Sequence, residues 1–172
     1  DKAIKITEEI INNFGSSYKR HWFKMMQKKL GLFGEESEDE NLINTLLVWM
    51  NQNKVDYTNT FCSLIDEDSL KGKPFQDSVF LNWHKQWKKR LSQNKKPIGE
   101  SLSLMRMTNP TIIPRNHKVE EVLKAANIND DLVPMYNLLK VLKRPYENQL
   151  NTATYKSPSA PSNKKYQTFC GT

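Results

Sequence analysis

The chain has 172 residues, 37% of them apolar and 26% charged, which fits a globular domain with a core of its own. No apolar run approaches the roughly 20 residues needed to span a bilayer, so a membrane-spanning helix and a membrane partner are excluded. The excess of Lys and Arg (26) over Asp and Glu (19) gives a formal charge of +7, but the basic residues are scattered along several segments. That pattern points to a solvated surface, and nucleic acid is not the expected partner. Cys62 and Cys170 lie too far apart, with no second pair, to indicate a zinc site or a disulfide scaffold, and they fit a reducing compartment. The chain begins on Asp1 without a signal pattern and reads as a piece of a longer protein.

From Ile4 to Leu30, apolar residues recur at helical spacing through Ile10, Ile11, Phe14, Tyr18, Trp22, Met25 and Met26, predicting one long helix or two broken near Gly15. His21 has no ligand partner at helical spacing and is expected to be structural. Gly31 to Gly34 end the helix. Ser37 and Glu40 have capping-box spacing ahead of a helix carrying Leu42, Ile43, Leu46, Leu47, Trp49 and Met50, so the acidic run from Glu35 to Glu40 is expected to face a helix N-terminus. Asp56 is placed to cap a short helix through Tyr57, Phe61, Leu64 and Ile65. Asp66 to Asp68 form a solvated turn with no metal-loop spacing.

Val79, Phe80, Trp83, Trp87 and Leu91 make an aromatic stripe, and Lys85, Lys88, Lys89 and Arg90 are assigned to the opposite, basic face. Aromatics beside bases can clamp single-stranded nucleic acid, but tryptophans four apart share one face and are expected to pack in a core. His84 is read as structural like His21. A short helix with Leu102, Leu104 and Met105 leads into a corner, where Pro110 and Pro114 push Asn109 and Ile113 out of the helical region. The corner is expected to pack in the interior. Asn116 is the expected cap of the next helix, which carries Val119, Val122, Leu123 and Ala126. Asn127 to Asp131 read as a loop, and Asp131 caps a helix with Leu132, Met135, Tyr136, Leu139 and Leu142 that admits Pro134 in its first turn and ends at Pro145.

The expectation is therefore an all-α, irregular bundle of about six to seven helices over residues 1–145, followed by an extended tail over 146–172 that ends near Cys170. No phosphate-cradling glycine loop and no nucleophile with its base stands in the chain, so no catalytic, cofactor-binding or metal-ligating residue is assigned.

Asn109-Pro110, Arg115-Asn116-His117, Val119-Glu120 and Ala125-Ala126 stand in one order. They are joined by Lys29-Leu30-Gly31-Leu32, Asp56-Tyr57-Thr58-Asn59-Thr60-Phe61, Asp131-Leu132, Leu138-Leu139 and Pro145-Tyr146. Together with Pro114, these segments resemble the C-terminal region of the selenoprotein O family. One departure is Cys62, where the family commonly carries an arginine. The resemblance implies an intact bacterial, cytoplasmic protein with a kinase-like (pseudokinase) part that binds ATP and Mg outside these residues. That protein would transfer AMP to Ser, Thr or Tyr hydroxyls of protein substrates. The residues here would be structural and regulatory and inactive alone, with the protein's own N-terminal kinase-like part as partner. Cys170 matches the family's C-terminal cysteine or selenocysteine and is the redox candidate. Its tail would dock by Tyr166 and Phe169, and Cys62 is expected to be a buried, inert thiol. Asn109, Pro110, Pro114, Arg115, Asn116, His117, Pro145 and Tyr146 are family-motif positions expected to be structural. The alternative from another class is a basic helical module that binds nucleic acid or protein.

Overall fold

The computed structural model describes residues 2–159. Among the described residues it is all-helical: α1 (Lys2–Lys29), α2 (Asp39–Gln52), α3 (Tyr57–Ser63), a 3-10 turn (Glu67–Leu70), α4 (Ser78–Ser92), α5 (Ile98–Thr108), α6 (Asn116–Asn129), α7 (Val133–Leu142) and α8 (Ala153–Lys156). The last, a single turn, takes the number beyond the six or seven expected and stands where an extended tail was expected. Its local cause is a side-chain lattice: Gln149 Nε2 donates to the carbonyls of Val141 and Arg144, and the Thr152 hydroxyl donates to the Gln149 carbonyl.

The chain forms two compact units that divide in sequence between Thr111 and Ile112. In the first, α1 is a single helix that runs through Gly15, and it ends where the sequence put the stop. Gly31, at φ +69°, takes the left-handed position, while the N–H groups of Gly31 and Leu32 donate to the Lys28 and Gln27 carbonyls. A side chain at Gly31 would meet Met105 and the Ser101 carbonyl at 3.0 Å, because α1 and α5 pack closely there.

The core of this unit is built by α1 (Met26, with Leu30 just beyond it), α2 (Leu42, Ile43, Leu46, Trp49), α3 (Phe61) and α4 (Phe80, Trp83, Trp87). Trp83 and Trp87 stack with centroids 5.9 Å apart, and their indole N–H groups donate to the Leu42 and Leu30 carbonyls. At 1% and 3% exposed, neither ring is available to stack on a base. Asp56 caps α3 as expected, its carboxylate accepting the Asn59 N–H at 2.8 Å.

Three cap expectations are corrected. The box from Ser37 to Glu40 does not form: Glu38 precedes α2 without a side-chain bond, because the Asp39 carboxylate turns inward. Arg115, in extended geometry, precedes α6, and Asn116 is already its first helical residue and is exposed. Leu132, not Asp131, directly precedes α7, and Asp131, one residue earlier, accepts the Val133 N–H.

In the second unit α6 and α7 pack as a hairpin, burying Val122 and Leu138. The segment expected as a loop from Asn127 is helical to Asn129 and turns at Asp130, φ +49°. Leu123, Ile128, Val133, Tyr136 and Leu139 are exposed.

Candidate functional site

Three of the resembling segments, Lys29 to Leu32, Asp56 to Phe61 and Asn109-Pro110, converge on one buried point of the first unit. Asn109 is 1% exposed. The reason it folds there is local: α5 ends at Thr108, Asn109 turns to extended geometry ahead of Pro110, and its N–H still closes onto the Met105 carbonyl at 2.8 Å. Its side-chain amide then bonds reciprocally with α1. Lys29 Nζ donates to Asn109 Oδ1, and Asn109 Nδ2 donates to the Lys29 carbonyl, each at 2.9 Å.

The Lys29 ammonium lies 4.6 Å from the Phe61 ring centroid and 5.2 Å from that of Tyr57. Among the described residues no carboxylate lies within ion-pair distance of it, so the cation is held by two aromatic faces and one amide oxygen. Burial lowers its pKa below the ordinary 10.5, with the neighbouring Cys62 acting in the opposite direction. Burial also raises the Tyr57 phenol above 10.0. Cys62 Sγ donates to the Pro110 carbonyl at 3.4 Å and is half-buried, where a buried thiol was expected. The site has the chemistry of a brace: reciprocal hydrogen bonds and a cation on rings.

A second polar centre lies on the other side of the Gly31–Gly34 loop, and sequence reasoning missed it. Asp39 and Arg90 form a buried ion pair, with Nε to Oδ1 at 2.6 Å and Nη2 to Oδ2 at 3.2 Å. Gln27 Nε2 and the Glu36 N–H also donate to Asp39 Oδ2. Arg90 further donates to Asn94 Oδ1 and the Phe33 carbonyl, and Asn94 Nδ2 donates to the Gly31 carbonyl. The network ties the loop to α2 and α4. Arg90 therefore leaves the basic face assigned to it; Lys85, Lys88 and Lys89 remain exposed. The signal was present in the spacing, since Asp39 precedes Leu42, Ile43 and Leu46 on the core stripe of α2, and Arg90 follows Trp83 and Trp87 on that of α4.

An open apolar hollow of about 620 Å³ is lined by Leu64, Ile65, Trp87, Leu91, Ile98 and Leu102. Its charged rim is already committed, Lys88 to Glu67 and Lys96 to Glu100. No group of three or more His, Cys, Asp or Glu able to hold a metal occurs among the described residues. Asp66 and Asp68 are spent on the turn and on Lys71. No helix among the described residues is long and apolar enough to cross a membrane.

The other predicted positions fall in the second unit or beyond it. The Ile112 N–H donates to the Pro145 carbonyl, Arg115 is buried, His117 is half-buried, and Pro114, Asn116 and Tyr146 are exposed. Cys170, with Tyr166 and Phe169, lies outside the described residues. His21 is exposed. His84 is held between the Phe80 and Trp87 rings, its Nε2 buried without a hydrogen-bond partner, and burial, then Lys88, lowers its pKa.

The family model described as protein adenylyltransferase SelO matches residues 3–143. The whole chain is 45% identical to 36% of "Protein nucleotidyltransferase YdiU" from Alcanivorax borkumensis. It is 45% identical to 35% of the protein of that name from Nitrosococcus oceani, and 42% identical to 35% of that from Bacillus cereus (strain ATCC 14579). The chain thus spans about a third of the length of the curated relatives it matches.

Proposed function

The chain belongs to the protein adenylyltransferase SelO family, and from that premise we propose that it is the helical C-terminal part of an intact enzyme that transfers AMP from ATP to Ser, Thr or Tyr hydroxyls of proteins. In this reading ATP and Mg bind in the part of the intact protein outside these residues, and the helices here brace that part. The observation that carries it is the end-to-end match to a third of proteins named nucleotidyltransferases. The Lys29–Asn109 centre supports it, because three separate family segments meet there to hold α1, α3 and the end of α5 in one arrangement. Regulation through Cys170 belongs to the same proposal. A Cys170→Ser variant of the intact protein is expected to lose the difference in activity between reducing and oxidising buffer; an unchanged difference removes Cys170 from the account.

The test of the function is label transfer. The intact protein, incubated with Mg and ATP labelled at the α- or the γ-phosphate, is expected to label protein from the α position only. Label arriving only from the γ position would make it a kinase and overturn the assignment.

A further inference from the structure

The first half of α1 carries a surface that its own unit does not use. Ile4, Ile10, Ile11, Phe14 and Tyr18 are 59%, 66%, 65%, 68% and 62% exposed. At helical pitch they fall within an arc of about 120°, the width of a face that normally packs against something. The stripe is continuous with a covered one: Trp22 lies on the same line and packs against the core, and Met26 and Leu30, one turn and two turns further, are fully buried. Phe14 and Tyr18 stack on each other, 6.2 Å between centroids, which leaves their outer faces open. The opposite side of the helix is polar, with Lys5, Glu9, Asn12, Ser16 and Arg20.

We propose that this stripe is the seat of the segment that precedes α1 in the intact protein. The inference rests on the functional reading above in one respect, that such a segment exists. The Alcanivorax relative carries about 300 residues beyond the stretch matched here, enough for at least one further domain. The family match begins at residue 3, so the uncovered turns are part of the family's common length. Connectivity puts the residues before Lys2 at the uncovered end of the helix. The occupant is thereby an apolar surface of the same polypeptide, and α1 is the beam that joins it to the core around Trp83 and Trp87.

The experiment uses the intact protein under reducing conditions, with single cysteines placed at Ile10, Phe14 or Tyr18 and, as controls on the polar side, at Asn12 or Glu9. Maleimide labelling is read against the parent, which carries Cys62 and Cys170. Cysteines on the stripe are expected to react roughly tenfold or more slowly than the controls at every protein concentration. Equal rates overturn the proposal. So does protection that disappears on dilution as a dimer dissociates, because a second copy would then be the occupant. Should a Phe14→Cys chain fail to fold, amide exchange of the parent over residues 4–18 gives the same readout, slow exchange being expected. Protection of the stripe in a protein without AMP transfer would sink the functional reading and leave the docking surface standing.

Discussion

Asp39–Arg90 and Lys29–Asn109 both bury a cation in the first unit, yet only the first meets it with a carboxylate. Arg90 has a bidentate partner, and its remaining donors end on an amide oxygen and a loop carbonyl. Lys29 has an amide oxygen and two rings. The difference teaches how each responds to loss. Removing one member of a closed ion pair strands the other charge, whereas removing Lys29 removes the charge itself and strands only an amide oxygen.

The largest effect is expected at the ion pair. Arg90→Met leaves Asp39 buried and unpaired and is expected to lower stability by about 3–5 kcal/mol in denaturant unfolding. The double variant Asp39→Leu with Arg90→Met is expected to recover most of that loss, a coupling that two independent sites would not show. Gly31→Ala comes next, at about 2 kcal/mol, because φ +69° and the contacts at 3.0 Å leave no relaxed position for a methyl group.

Lys29→Met sharpens the contrast, with an expected loss of about 1 kcal/mol or less at neutral pH. Its signature is in alkali. The folded-state pKa of Lys29 is depressed, so between that value and 10.5 the unfolded chain binds more protons and stability rises with pH. Tyr57 acts oppositely: its pKa is raised, so above 10.0 the folded chain holds the extra proton and stability falls. Parent minus Lys29→Met isolates the rising component, and a parent that gains nothing over the variant as pH approaches 10.5 would contradict the buried, carboxylate-free cation.

The smallest effect is expected at His84. Its pKa is lowered, so its contribution is intact above 6.5 and is lost as pH falls through the depressed value. His84→Phe keeps the ring stack, removes the unpartnered Nε2, and is expected to gain about 1 kcal/mol and to flatten that acid limb.

Much of the fold was legible because periodicity reports which face of a helix meets apolar surroundings. Phe80, Trp83 and Trp87 were read correctly as core for that reason, and Gly31 and Asp56 as a stop and a cap because each has one local job. For Ile4 through Tyr18 the same periodicity gave the helix but not what its apolar face meets, and Ile4, Ile10, Ile11, Phe14 and Tyr18 are exposed. Arg90 was misplaced by residue type, charge being read as exposure although its spacing matched the core stripe, and for Asp39 the place at a helix N-terminus was read but the buried partner was not. The convergence of Lys29, Tyr57, Phe61 and Asn109 was not legible at all, since segments 80 residues apart meet only through tertiary packing.

The central claim, that these helices brace a catalytic part and do not themselves act on substrate, is tested most directly at Lys29. Turnover of AMP transfer by the intact protein carrying Lys29→Met is to be measured alongside its unfolding midpoint. The account expects turnover within about threefold of the parent, with a small shift in the midpoint. A loss of about a hundredfold or more at an unchanged midpoint would place Lys29 in the chemistry and contradict the claim.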